Sequence, residues 1–325
     1  MAAKYPELSV VIVVGDPGTR AGIERTLASL THQCAIDQME VVVIDCSRPD
    51  SPSMRGSEHR TVRTVKLPRE RTTMAEARAE GVRQAKAPFV AFMDEHSFAL
   101  AGWAEALIEA HQGPWAAVGA EIYNSSSAIG FADPIYLMGH GRWAPPARRG
   151  EMELLSSHDT CYKREVLLSY ENQLSNLLMA EPILMWKLRE DGHKLFLEPN
   201  AKSAHGYTIT LLTLIAFMAW NRCFGHMRAK VFSWSRSKRY LMAGLTPILP
   251  WIRTLRLGEY LVRQHPQRLP TFLIGFPIIL LAQYGAAIGE AMGLLRGKGN
   301  AETLFTQSHL RGLRWRAELP EIPHP

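Results

Sequence analysis

The sequence predicts an α/β fold: a mostly parallel sheet flanked by helices over residues 1–206, then a helical, apolar and basic region over 207–300 and a tail over 301–325. Three observations predict it. Short apolar runs alternate with helical patterns at the spacing of βαβ units. Formal charge changes sign along the chain, from −4 over residues 1–206 to +10 over residues 207–325. Three long uncharged stretches are confined to the second part.

The elements follow in order. Leu8–Val14 is a continuous apolar run, the pattern of a strand buried on both faces, and Gly15-Asp16-Pro17-Gly18 stops it. A helical pattern runs from about Arg20 to His32. Met39–Ile44 is a second strand ending at Asp45, and the Ser-, Pro- and charge-rich segment from Ser47 to Glu58 is a loop. Thr61–Leu67 alternates as a third strand. Met74–Ala87 is Ala-rich with Glu and Arg, hence helical. Phe89-Val-Ala-Phe-Met93 is a fourth strand, and Trp103–His111 the next helix. The stretch Ile122–Glu153 reads as loop. No internal repeat is present.

Composition narrows the class. Hydrophobic residues make up 46% of 325, enough for a sizeable core with some membrane contact. Cys34, Cys46, Cys161 and Cys223 form no Cys-x-x-Cys pair and no disulfide framework, so they read as reduced thiols of a cytoplasmic compartment. The N-terminus shows no apolar signal core.

In the back region Tyr207–Asn221, Tyr240–Ile252 and Leu269–Gly289 lack charge for 15, 13 and 21 residues. Only the last meets the roughly 20 residues that a helix needs to cross a bilayer. Ten Lys and Arg lie between Arg222 and Arg268, and five between Arg296 and Arg316. A single crossing would leave one group outside, against the positive-inside tendency, which favours a surface-lying, re-entrant or hairpin arrangement. Because the basic residues punctuate apolar runs instead of forming a polar face, the expected partner is an anionic membrane surface at the cytoplasmic side, not nucleic acid.

The fourth strand ends in Asp94-Glu95-His96. In an open α/β sheet, ligands collect at the carboxyl ends of strands. An extended backbone points Asp94 and His96 to one side, where a carboxylate oxygen and an imidazole nitrogen suit a divalent cation and, through it, a diphosphate.

Further segments share this order: Pro6–Asp16; Val41-Val-Val-Ile-Asp45; Ala77-Arg78-Ala79-Glu80-Gly81; Ser157-His158-Asp159 through Arg164; Ala180-Glu181-Pro182; and Ala201-Lys-Ser-Ala-His205. Together they resemble a family 2 glycosyltransferase of the GT-A type, over roughly residues 6–206. The resemblance implies a nucleotide-sugar donor held by Val14, Asp16, Asp45, Arg78, Asp94 and His158. It implies a Mn²⁺ or Mg²⁺ ion on Asp94, His96 and His205, the mixed ligand set leaning toward Mn²⁺. Catalysis would be a single inverting displacement with Glu181 as general base and a lipid-linked or glycan acceptor. The chain departs from the family pattern at Ala79, where Asn is usual, at His96, where the second Asp is usual, and at Pro182, which replaces the usual catalytic acid. Glu181 is the acid that remains, with Asp159 as the alternative.

Plainer readings exist for each residue: Asp45 caps a helix, Arg78 makes a surface ion pair, His205 ends a strand in solvent, and Glu181 favours the first turn of a helix. Two other functions compete, a nucleotidylyltransferase and a non-catalytic scaffold of the same fold. The first opens on a Gly-rich, basic phosphate loop, for which Gly15-Asp16-Pro17-Gly18 is a poor substitute.

Overall fold

The computed structural model describes residues 5–15, 20–48, 61–125, 132–157, 159–206 and 211–310. Strand β1 (Leu8–Val14) is buried along its whole length. It pairs in parallel with β2 (Met39–Asp45) on one side and β4 (Phe89–Phe92) on the other, and β3 (Val62–Lys66) extends the sheet beyond β2. Helices α1 (Arg20–Thr31) and α2 (Met74–Gln84) make the crossovers. The chain leaves β1 toward β2 and later returns to its other side as β4. The switch point therefore falls between the carboxyl ends of β1 and β4, where ligands collect in folds of this kind.

Helix α2 starts at a capping box: Thr73 Oγ1 accepts from the Glu76 backbone N–H at 3.2 Å, and Glu76 accepts from the Thr73 N–H at 2.8 Å. It stops at Gln84, three residues earlier than its composition suggests. Ala85 is already extended, and Pro88 disfavours helical backbone at Ala87. Gly81 seats the helix on the sheet, since a Cβ there would run into the Val11 side chain.

Beyond β4 the sheet turns mixed. Its order is β3-β2-β1-β4-β8-β6-β9-β5, with β8 (Thr160–Lys163) antiparallel to both β4 and β6 (Trp115–Asn124). The 12-residue β9 (Lys194–His205) runs parallel to β6, and β5 (Ser97–Ala99) and β7 (Gly150–Met152) lie antiparallel to β9. Helix α3 (Trp103–Ala110) packs on β9 and β6. The stretch expected as loop, Ile122–Glu153, instead holds the end of β6, helix α4 (Ala132–His140) and β7. Three short helices, α5 (Arg164–Ser169), α6 (Leu174–Leu178) and α7 (Glu181–Glu190), lead back to β9.

Five helices follow: α8 (Leu211–Val231), α9 (Arg236–Gly244), α10 (Leu249–Gln264), α11 (Leu269–Arg296) and α12 (Ala301–Leu310). Helices α8 and α11 pack closely through Gly225, Gly289 and Gly293, each of which faces the other helix's backbone. Glu290, buried inside α11, joins Arg228 of α8 at 2.8 Å and Arg253 of α10 at 2.5 Å.

Alternation along β1 divides the core. Val10 and Ile12 join one cluster, Val11 and Val13 the other. The second cluster continues without a break into the back helices through Cys223, Phe224, Met227, Ile279 and Leu310. Each fully buried aliphatic side chain contributes about 1.5–3 kcal/mol, so the back helices and the sheet stabilise one another directly.

Candidate donor and metal site

Strand β4 ends at Phe92, and Asp94-Glu95-His96 forms a turn, closed by the Ser97 N–H donating to the Asp94 carbonyl at 3.0 Å. The extended backbone expected for this tripeptide is thus absent, yet its two side chains still converge. Strand β5 turns back against β9 with Ser97 opposite His205, which brings His96 beside the last residue of that strand. The His96 and His205 Nε2 atoms lie 3.1 Å apart, and His205 Nε2 is 3.7 Å from Asp94 Oδ2. Each of Asp94, His96 and His205 offers an atom within 4.8 Å of the others, and all three residues are buried. The reading of His205 as a solvated strand end therefore does not hold.

The surroundings of this trio favour positive charge. Glu95 Oε2 is 3.6 Å from His96 Nδ1. Asp159, fully buried at the start of β8, accepts from Ser203 Oγ at 3.1 Å. Burial opposes charging of the His96 imidazole, but Glu95, Asp94 and Asp159 outweigh it and hold the imidazole above its ordinary value. One carboxylate and two imidazoles inside an acidic, buried pocket match the donor set of a divalent transition ion.

Arg78, on α2, is buried and bridges two elements. Its Nη2 donates to Asp94 Oδ1 at 3.0 Å, and its Nη1 donates to Glu181 Oε1. This is a buried bridge, not a surface ion pair. Glu181 opens α7 behind the cap residue Ala180, with Pro182 completing the first turn. The metal-ligand candidate and the base candidate are thus held by a single guanidinium, whose planar fork suits two acceptors at once.

Val14 and Asp45 stand opposite each other at the ends of β1 and β2. The Asp45 carboxylate accepts from the Ser47 N–H at 2.8 Å and from Lys66 Nζ at 3.2 Å. Asp16 and His158 lie outside the described residues.

Three neighbours escape a reading by motif. His140, the last residue of α4, stacks on His205 with ring centroids 5.5 Å apart. Lys66 holds Asp45, and Ser203 holds Asp159. Only the i, i+4 aromatic spacing of Tyr136 and His140 signals that His140 faces inward. A further surface comes from the back region: α12 lies across the switch point, with Leu310 packed on Gly15 and Thr306 Oγ1 accepting from the Met74 N–H at 3.2 Å.

Residues 9–167 match the family model described as Glycosyl transferase family 2. Over that stretch the chain is similar to the family. Among solved structures, the crystal structure of GalNAc-T7 with UDP, GalNAc and Mn²⁺ is similar, at 17% identity and a TM-score of 0.48. The similarity covers 62% of this chain and 43% of that one, so this chain spans less than half the length of GalNAc-T7. No curated protein matches the sequence.

Proposed function

We propose that this protein is a glycosyltransferase that takes a sugar from a nucleotide-diphosphate donor and passes it, with inversion, to a lipid-linked or glycan acceptor at the cytoplasmic face of a membrane. The observation that carries this reading is the join between Asp94-His96-His205 and Glu181 through Arg78 at the switch point of a family 2 domain.

The residues divide the work as follows. Val14 and Asp45, at the carboxyl ends of β1 and β2, would face the nucleoside; Asp16 and His158 belong to the same donor set as an extension of the family resemblance. Asp94, His96 and His205 would hold Mn²⁺ or Mg²⁺, which when bound supplies positive charge for the departing diphosphate. Glu181 takes the proton of the acceptor hydroxyl as that oxygen bonds to the anomeric carbon and the bond to the diphosphate breaks. Arg78 orients Glu181 and balances the charge of two buried carboxylates. Asp159, buried near His96, accepts from Ser203, adds to the acidic pocket and is the alternative base.

The back helices support membrane attachment. Helix α11 belongs to a segment, Pro266–Arg296, that holds an 18-residue window of mean hydropathy 1.8, with 39% of that window buried. One face packs on α8, while Leu273, Ile274 and Leu281 on the other are 60–77% exposed. Tyr240 and Leu241 of α9 and Trp251 and Leu255 of α10 add to the exposed apolar surface, beside Arg236, Arg239, Arg256 and Arg263. An apolar face rimmed by cations suits the headgroup boundary of anionic lipid.

The test is a donor screen with the purified chain in Mn²⁺, scoring nucleoside diphosphate release. A nucleotidylyltransferase would release pyrophosphate instead, and a scaffold would release neither. Glu181→Gln is nearly isosteric and is expected to keep donor binding while lowering transfer by roughly 10²-fold or more. Transfer at the parental rate would move the base to another residue, with Asp159 first in line.

A further inference from the structure

His140 takes no step in the mechanism above, yet its ring lies against the metal-ligand candidate His205. Both residues are buried. The two rings stack with centroids 5.5 Å apart and planes 25° from parallel.

His205 is fixed at its backbone, which leaves its ring to be fixed by something else. As the last residue of β9 it pairs with Asn124 of β6 on one side and Ser97 of β5 on the other, and its carbonyl accepts from the Ser125 N–H at 3.0 Å. Two torsions, χ1 and χ2, still decide where Nε2 points. The observed pose places Nε2 3.1 Å from His96 Nε2 and 3.7 Å from Asp94 Oδ2. His96 meets the His205 ring edge to face, at 73°. His140 lies along the ring, so a turn about χ2 would swing the edge of the His205 ring into a close-packed neighbour.

His140 is itself held in place. Its helix, α4, is tied to β6 by Tyr136 OH donating to the Ile122 carbonyl at 2.6 Å and by Asn124 Nδ2 donating to Asp133 Oδ1 at 2.5 Å. The His140 carbonyl accepts from the Trp143 N–H at 2.8 Å, and the Trp143 ring meets the imidazole at 68°. One turn back, the Tyr136 ring is within 8° of parallel to that of His140, and the Arg268 guanidinium lies 5.6 Å from the Tyr136 centroid. Asn124 therefore serves both partners: its backbone pairs with His205, and its side chain anchors the helix that presents His140. Among the described residues, the ligand atoms that gather within 4.8 Å of one another come from Asp94, His96 and His205. What His140 offers that trio is a flat ring against His205.

Resting on the transferase reading above, we propose that His140 is a positioning residue of the metal centre. Stacked on His205, it holds Nε2 turned toward Asp94 and His96, and the requirement is for an aromatic ring at position 140, not for a ring nitrogen.

The experiment titrates the full chain with Mn²⁺, alone and with saturating UDP or GDP, and follows free Mn²⁺ by electron paramagnetic resonance. Groups that orient a metal-bound imidazole typically contribute 10–100-fold to affinity, so His140→Ala is expected to weaken Mn²⁺ binding by about tenfold or more. His140→Phe supplies no ligand atom but keeps the stack, and is expected to bind within about threefold of the parent. Visible absorption of the Co²⁺-loaded chain reads ligand geometry directly: His140→Ala is expected to change the parental bands and His140→Phe to retain them. Melting curves in EDTA accompany each variant, because a loss of packing alone lowers the melting temperature without altering the spectrum of the chain that stays folded. Should His140→Ala fail to fold, His140→Gln, which also lacks a ring but keeps more of the volume, carries the same expectation. Parental affinity and spectrum in the ringless variants overturn the proposal and leave the transferase reading standing. A loss in His140→Phe equal to that in His140→Ala, with both folded in EDTA, makes the ring nitrogen the essential feature and overturns positioning by stacking. A parent that binds no Mn²⁺ under any of these conditions overturns the metal assignment of the transferase reading, and this proposal with it.

Discussion

Replacing Arg78 by Ala tests the bridge on which the site is built. The Arg78 side chain is 9% exposed, and its two partners, Asp94 and Glu181, are 4% and 3% exposed. Removing one member of a buried pair costs about 3–5 kcal/mol, because the remaining charge has neither water nor partner. Here two carboxylates lose the same partner and are left facing each other, so the upper end, about 5 kcal/mol, is the working figure. At roughly 2 °C per kcal/mol for a large domain, the melting temperature falls by about 10 °C. The deficit depends on pH with a definite sign. Without the guanidinium, both folded-state carboxyls titrate above their unfolded values, so the folded variant binds more protons and is relatively favoured as pH falls. The expected gap between parent and variant is therefore wider at pH 8 than at pH 5. Arg78→Lys keeps the charge but is a point donor that cannot span both acceptors, and falls between the two. Calorimetric melts at the two pH values are the assay. A variant that melts within about 2 °C of the parent at pH 8 would refute the argument that Arg78 neutralises a buried pair.

Other outcomes follow from the same geometry. Asp94→Ala should abolish the metal dependence of nucleotide binding and His96→Ala should weaken it; titration calorimetry showing equal affinity in EDTA and Mn²⁺ for the parent would remove the metal from the mechanism. His111 is held at about 3 by burial, and its ring stacks on Phe89 at 4.6 Å. Its neutral form is favoured in the folded state, so stability is lost as pH drops below the unfolded value of about 6.5, by roughly 1.4 kcal/mol per pH unit. His111→Phe keeps the stack and should flatten that part of the urea-midpoint profile between pH 7 and pH 5; unchanged slopes would contradict it. Membrane attachment predicts that the full chain sediments with membranes in high salt and is released by detergent. Recovery in the high-speed supernatant without detergent would leave α11 as a core helix.

The elements that were legible in the sequence share a physical cause. Parallel strands buried on both faces, such as β1 and β2, are unbroken apolar runs closed by turn residues, and such runs need no partner to be recognised. Residues 115–153 were harder. Helix α4 carries Pro134 in its first turns and Gly139 near its end, so its composition looks like loop, and it persists because Pro134 packs on Gly275 of α11. Strand β5 has three residues, too few for any period. At the site, Asp94, His96 and His205 were visible as residue types at strand ends. Their convergence depends on a turn and on the β5–β9 register, which no local pattern encodes. Arg78 was visible as a donor-side residue, but its hold on Glu181 is set by where α7 docks. His140 and Ser203 are brought to the site only by the tertiary fold.

The packing of Leu310 on Gly15 has a consequence for how the molecule is made. Few contacts in the described chain join residues so far apart in sequence, and contacts of that kind slow folding because a long loop must close before they form. At about 5–20 residues per second, synthesis of α12 trails that of β1 by roughly 15–60 s. Until then the nascent protein lacks α12, and the apolar side chains that it covers, Met74 and Trp220 among them, await it from the moment each is made. Bound chaperone or lipid would shield those side chains until α12 arrives. Yield of folded, soluble protein in a cell-free synthesis should accordingly rise when either is supplied during translation, and less so when it is added afterwards.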